Sequence, residues 1–218
     1  LLIPAIALLQ ELSAPDWLTP LLQQFFIITA MLLAPFVGPF ADALPKGRVM
    51  FISNTIKIIG CLAMLLGMPP LYAYAIVGFG AAAYSPAKYG ILTEYLPPDL
   101  LVKANSWMEG LTVAAIVLGA IVGGILISPS LSAPLVQTLD IPMIDSIAKL
   151  AILVIVLIYI AAALFNLYIP HVPIEHKPFS RNPIALTKDF WHCFRLLWKD
   201  PLGQVSLAVT TLFWGAGA

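Results

Sequence analysis

Gly38-Pro39-Phe40-Ala41-Asp42-Ala43-Leu44-Pro45-Lys46-Gly47-Arg48 joins two apolar runs, each long enough to cross a bilayer. The stretch sets a carboxylate at the end of one membrane helix and two cations in a tight turn before the next. Such charges at a membrane face are costly unless their partners are organised. Asp42, Lys46 and Arg48, framed by Gly38 and Gly47, read either as a motif whose charge pair forms and breaks or as ordinary positive-inside topology with a capping Asp.

The composition agrees with lipid as the main solvent. Of 218 residues, 61% are hydrophobic and 10% charged, against about 25% charged in a soluble domain. Mean hydropathy is +0.96. Eleven Lys and Arg balance eleven Asp and Glu, so net charge points to no nucleic-acid partner. Two cysteines, Cys61 in an apolar run and Cys193 in a polar segment, do not make a disulfide framework.

Spans of about 20 apolar residues are expected at 21–41, 49–67, 71–92, 105–127 and 147–169. They are continuously apolar rather than alternating, which favours helices over barrel strands. Residues 1–10 read as the tail of an earlier helix and 203–218 as the start of a later one. The chain begins with Leu1 and ends with Ala218 inside apolar runs. We expect it to be a piece of a longer membrane protein, cut at both ends.

Lys and Arg sort the connections. Lys46 and Arg48, Lys103, and Lys177, Arg181, Lys188, Arg195 and Lys199 lie in 42–48, 93–104 and 170–202. The intervening loops carry Glu11, Asp16, Asp140 and Asp145 instead. The alternation puts the basic set in the cytoplasm. Lys149 is the exception, placed where its stem can snorkel. Within 170–202, Ile184, Leu186, Phe190, Trp191, Phe194, Leu197 and Trp198 are interspersed with cations. That pattern predicts an amphipathic helix at the interface, or a tether lying on it.

Several polar residues sit inside the spans. Lys57, expected about 12 Å from its helix end, shares a face with Ser53 and Gly60 or Cys61, three residues after Asn54. It either lines a pathway or snorkels. Lys88 lies in Gly78-Phe79-Gly80-Ala81-Ala82-Ala83-Tyr84-Ser85-Pro86-Ala87-Lys88-Tyr89-Gly90. Pro86 there frees the Ala82 carbonyl and should kink the helix. Tyr84, Ser85, Lys88 and Tyr89 suit a moving part or a headgroup site, or else tight packing with Lys88 at the interface. Glu109 is expected to pair with Lys88 or Lys57. Gly119, Gly123 and Gly124 follow Gly110 at spacings suited to close helix packing. His171, His176 and His192 form no metal set, and no phosphate loop, nucleophile elbow or dinucleotide motif is present. The sequence reads as a protein without enzymatic chemistry or metal.

The Gly38-x-x-x-Asp42 and Gly47-Arg48 pattern resembles the loop between helices 2 and 3 of the major facilitator superfamily, with a gap two residues longer than usual. Gly110, Gly119 and Gly123 resemble a helix 5 motif of that superfamily, whose final Pro is Gly124 here. The resemblance implies an all-α membrane protein and the N-terminal six-helix half of a transporter. Residues 1–169 would be the bundle, from the end of helix 1 to helix 6. Residues 170–202 would be the cytoplasmic link and 203–218 the start of helix 7. In that superfamily the helix 2–3 loop gates the cytoplasmic side.

Lys46-Gly47-Arg48-Val49-Met50, GAAAYSPAKYGIL at 80–92, LVKAN at 101–105, Tyr168-Ile169-Pro170 and LFWGAG at 212–217 are similar to bacterial lysophospholipid transporters. That resemblance implies a flippase carrying lysophosphatidylethanolamine and related lysolipids from the outer to the inner leaflet of a bacterial inner membrane. Re-acylation by a cytoplasmic acyltransferase–acyl-carrier-protein synthetase would follow. Sodium coupling is associated with the family, but the acidic residue for it falls before Leu1, so no cofactor is read here. The alternatives are a drug or metabolite antiporter of the same superfamily, and the membrane domain of a fused acyltransferase.

Overall fold

The computed structural model describes every residue except 140, 142, 171–178, 180, 181 and 218. Asp140, His171, His176, Lys177 and Arg181 thus lie outside the described residues. All the elements described are α-helices: α1 (Leu2–Glu11), α2 (Leu18–Ala43), α3 (Lys46–Leu65), α4 (Pro70–Tyr95), α5 (Pro98–Leu126), α6 (Pro129–Leu139), α7 (Ile147–Leu167), α8 (Pro183–Lys199) and α9 (Pro201–Gly217). Two compact units result, Leu1–Lys177 and Pro178–Ala218.

Proline sets most of the helix starts. Pro70, Pro98 and Pro183 occupy the first turns of α4, α5 and α8, where a missing N–H costs nothing. α3 ends on Gly67 at φ +92°. The Gly67 N–H bonds Met64 O and the Met68 N–H bonds Ala63 O, which satisfies the last carbonyls in a left-handed cap. Ser146 caps α7 by accepting from the Lys149 N–H.

Among the described residues, four helices are long and apolar enough to span a membrane: α2, α3, α5 and α7, with mean hydropathies of 1.8, 1.5, 2.1 and 2.8. The fifth expected span, α4, has the length at 26 residues but not the apolarity. Its position explains why: it packs along both α2 and α3, so small residues and tyrosines replace lipid-facing aliphatics. The connection at 128–146, expected to be a loop, contains α6, which opens on Pro129 and has Pro134 inside it.

Without a hydrophobic drive between helices in lipid, close backbone approach does the work. A Cβ on Gly60 would meet Val77 Cγ2 at 2.7 Å, and one on Gly78 would meet Phe26 at 3.2 Å. Leu8, Leu9, Leu22, Cys61, Met64, Tyr74, Val77, Ile152 and Val156 fill one end of the bundle, and Ala41, Val49, Met50 and Ala87 the other. Lys149 at the start of α7 is paired, its Nζ lying 2.8 Å from Asp145 Oδ2. That hydrogen bond holds the Asp145 carboxyl below the usual carboxylate range. Its small contribution is present above the ordinary carboxylate pKa and is lost as pH falls through the lowered one.

Candidate functional site

The polar residues singled out above fall into three groups within the Leu1–Lys177 unit. The first lies where α2 turns into α3. Lys46 is the first residue of α3, not part of a loop. It is buried, and its Nζ donates to Ala41 O and to Asp42 Oδ1, both at 2.8 Å. Its ammonium also lies 3.4 Å from Glu94 Oε1 at the end of α4. A cation on the last carbonyls of α2 is favoured by the helix dipole. Gly90 leaves room for the Lys46 stem, since a Cβ there would meet Lys46 Cε at 3.2 Å. Gly47 abuts the end of α7, where a Cβ would meet Asn166 O and Ile169 Cβ at 3.1 Å. Arg48 is exposed, with no partner among the described residues, and Gly38 faces open space.

Glu94 is the member that sequence reading missed. It falls in a stretch read as loop, yet it is a carboxylate on the same membrane side as Lys46. That shared side was the available signal. Lys46→Ala strands Glu94, only 19% exposed, together with the Ala41 carbonyl. We expect a loss of about 1–3 kcal/mol, read as thermal unfolding of the full-length protein in detergent. Glu94→Gln should cost less, and the double variant less than the sum. An unchanged melting temperature in Lys46→Ala would contradict this.

The second group is interior, between α3, α4 and α7. Because α3 begins at Lys46, Lys57 lies about 16 Å from the helix end, deeper than its sequence position predicted. Lys57 is buried, and its Nζ donates to Asn54 Oδ1 at 3.2 Å. It lies 4.2 Å from the centroid of Tyr84 and 5.5 Å from that of Tyr159. Ring faces offset part of the cost of a desolvated cation. Ser53 Oγ and Asn54 Nδ2 beside it are buried without a partner among the described residues.

The third group joins α4 to α5. Lys88 Nζ donates to Thr112 Oγ1 at 2.5 Å, and Tyr89 OH donates to Glu109 Oε1 at 2.7 Å. Thr112 Oγ1 donates onward to Met108 O. Glu109 and Thr112 are one turn apart on α5 and share the face toward α4. Glu109 therefore pairs with Tyr89, and neither Lys88 nor Lys57 forms the expected ion pair with it. The reason is azimuth: Lys88 meets the position one turn further along α5. Lys88 Nζ also sits 5.1 Å from the Tyr89 ring centroid. Glu109 Oε2 is sealed from solvent without a donor among the described residues. Ser85 is exposed, and α4 runs unbroken through Pro86. Of the glycines further along α5, a Cβ on Gly123 would meet Ile3 Cδ1 at 3.0 Å, while one on Gly119 or Gly124 would meet nothing within 4 Å. Among the described residues, the close approach along this part of α5 is at Gly123.

Among the described residues no cluster of His, Cys, Asp and Glu could hold a metal. What the third group offers is a cation bonded to one neutral hydroxyl and a carboxylate with an unused oxygen. Both lie on one helix pair.

A family model described as Major Facilitator Superfamily matches residues 1–218. The chain is 43% identical over 217 residues to the lysophospholipid transporter LplT of Serratia proteamaculans, covering 100% of this chain and 50% of that protein. It is 44% identical over 217 residues to the proteins of the same name from Yersinia pestis and Yersinia pseudotuberculosis, covering 100% of this chain and 49% of each. The chain spans about half the length of the curated relatives it matches.

Proposed function

This chain belongs to the major facilitator superfamily, as a multi-pass membrane protein, and we propose that the protein it forms part of transports lysophospholipids. In this reading α2 to α5 and α7 are helices 2 to 6 of the N-terminal half, and α8 lies in the link between halves. The substrate would pass between the two halves near the midplane, which rock against each other. Direction would be outer to inner leaflet of a bacterial inner membrane, feeding a cytoplasmic acyltransferase–acyl-carrier-protein synthetase.

The observation that carries the proposal is the α4–α5 wall. A lysophosphatidylethanolamine headgroup holds a phosphate and an ammonium a few bonds apart. Lys88, whose hydrogen-bond acceptor among the described residues is Thr112, has donors to spare for the phosphate. Glu109, with Oε2 unmatched, has an acceptor for the ammonium. An unmade bond at a buried oxygen costs about 1–3 kcal/mol, and its persistence is consistent with a ligand that completes it. The single acyl chain can stay in an apolar groove while the headgroup follows the polar wall. Lys46, Asp42 and Glu94 all belong to this half, and would hold the cytoplasmic ends of α2, α3 and α4 together as the halves move. The names of the relatives support the lipid over a drug or metabolite.

The test is uptake in spheroplasts lacking their own lysolipid transporter, with and without the full-length protein. Labelled lysophosphatidylethanolamine should give re-acylated product only where the protein is present. Equal product in both, with the protein confirmed in the membrane, would remove the lipid reading.

A further inference from the structure

We propose that α8 is an in-plane helix that docks on an anionic lipid surface through an aromatic face edged by one strip of cations. The Asn182 side chain starts the helix by accepting from the Ile184 and Ala185 N–H groups, with Pro183 in its first turn. At about 100° per residue, Leu186, Phe190, Phe194, Leu197, Trp198, Trp191 and Ile184 share one face. Arg195, Lys188, Lys199 and His192 fall together within about 60°, directly beside Ile184 and Trp191. Asp189 lies on the far side of that strip.

The aromatics form a continuous row. Ring centroids are 6.3 Å apart for Phe190 and Trp191, 5.5 Å for Trp191 and Phe194, and 5.9 Å for Phe194 and Trp198. Yet Ile184, Trp191 and Trp198 are 65%, 53% and 61% exposed. A row of exposed aromatics is unfavourable in water and favourable at a lipid–water boundary, where apolar bodies sink and polar edges stay wet. Cations at the border of the apolar face reach the phosphate layer with their stems along the helix. One anionic leaflet satisfies both features at once. Chain continuity supports the same occupant: α8 follows α7, with a mean hydropathy of 2.8, and precedes the apolar stretch Pro201–Phe213. Its neighbours in sequence are thus a helix long and apolar enough to cross a membrane and a shorter apolar helix. A protein groove would account for the aromatic row but not for three permanent cations gathered along one edge of it.

Spin labels on single cysteines test this in the full-length protein, with Cys61 and Cys193 replaced by Ala. Phe190→Cys and Phe194→Cys report the aromatic face, Lys188→Cys and His192→Cys the cationic strip. Vesicles are phosphatidylcholine alone or mixed with phosphatidylglycerol. In the mixed vesicles, labels at 190 and 194 should favour oxygen over an aqueous relaxant, at a depth of about 5–10 Å. Labels at 188 and 192 should show the reverse. Burial should be shallower in phosphatidylcholine alone and in the triple variant K188Q/R195Q/K199Q. Labels at 190 and 194 that are open to the aqueous relaxant, or closed to both reagents as under a protein partner, would overturn the proposal. Equal burial in both vesicle types would overturn its anionic component.

Discussion

Gly80→Val should unfold the α3–α4 packing and lower the stability of the full-length protein by about 3 kcal/mol, at the upper end of overpacking costs. A Cβ at Gly80 would lie 2.6 Å from Ser53 O, 2.8 Å from Lys57 Cγ and 3.1 Å from Lys57 N. Two of those atoms are backbone and cannot rotate away, so the helices must separate. Separation also breaks the setting of Lys57, which depends on Asn54 from its own helix and on Tyr84 from α4. Gly119→Ala is the control, because nothing lies within 4 Å of its Cβ position. That substitution should be neutral or stabilising by up to about 1 kcal/mol through helix propensity. Thermal unfolding in detergent, followed by tryptophan fluorescence, separates the two. Equal melting temperatures for both variants would mean that the close approach of α3 and α4 does not carry the bundle.

The second large effect is on transport. Lys88→Ala should lower initial uptake of any lysophospholipid about tenfold or more while leaving the amount in the membrane unchanged. A hydrogen bond to a charged group contributes about 1.5–3 kcal/mol, and each 1.4 kcal/mol is a factor of ten. Glu109→Gln should act differently. It should slow lysophosphatidylethanolamine, which carries an ammonium, more than lysophosphatidylglycerol, which does not. Tyr89→Phe removes the bond that orients Glu109 and should fall between wild type and Glu109→Gln for the ethanolamine lipid. Unchanged rates in Lys88→Ala would return Lys88 to a structural role. Equal losses for both lipids in Glu109→Gln would make Glu109 a support for the α4–α5 contact.

The helices were legible because length, continuous apolarity and proline punctuation coincide. Pro70, Pro98 and Pro183 mark starts that hydropathy alone blurs by several residues. α6 was hidden because Pro129, Ser130, Ser132 and Pro134 read as loop composition, although Pro129 can open a helix. α4 reads from the sequence as one span among five, and it is the helix flanked by α2 and α3. Small residues serve both settings, so composition could not separate them.

For the polar candidates inside the spans, the helix that carries each could be read from the sequence and its azimuth could not. Lys88 and Glu109 do lie on facing helices, but sequence cannot say which turn of α5 faces Lys88. A shift of one turn replaces an ion pair by two separate hydrogen bonds. Asp42 and Lys46 were recognisable as a pair because they are four residues apart across the turn. Glu94 was not, because its proximity to Lys46 depends on how α4 returns to that end. Tyr159 joins Lys57 only through the packing of α7 on α3.

The most direct measurement is transbilayer movement of a fluorescent lysophosphatidylethanolamine in proteoliposomes of the purified full-length protein. Lipid remaining in the outer leaflet would be extracted by albumin over time. The account predicts protein-dependent transfer of the lysolipid and none of its diacyl counterpart, with Lys88→Ala close to empty vesicles. Transfer no faster than in empty vesicles, or equal transfer of lysolipid and diacyl lipid, would contradict it.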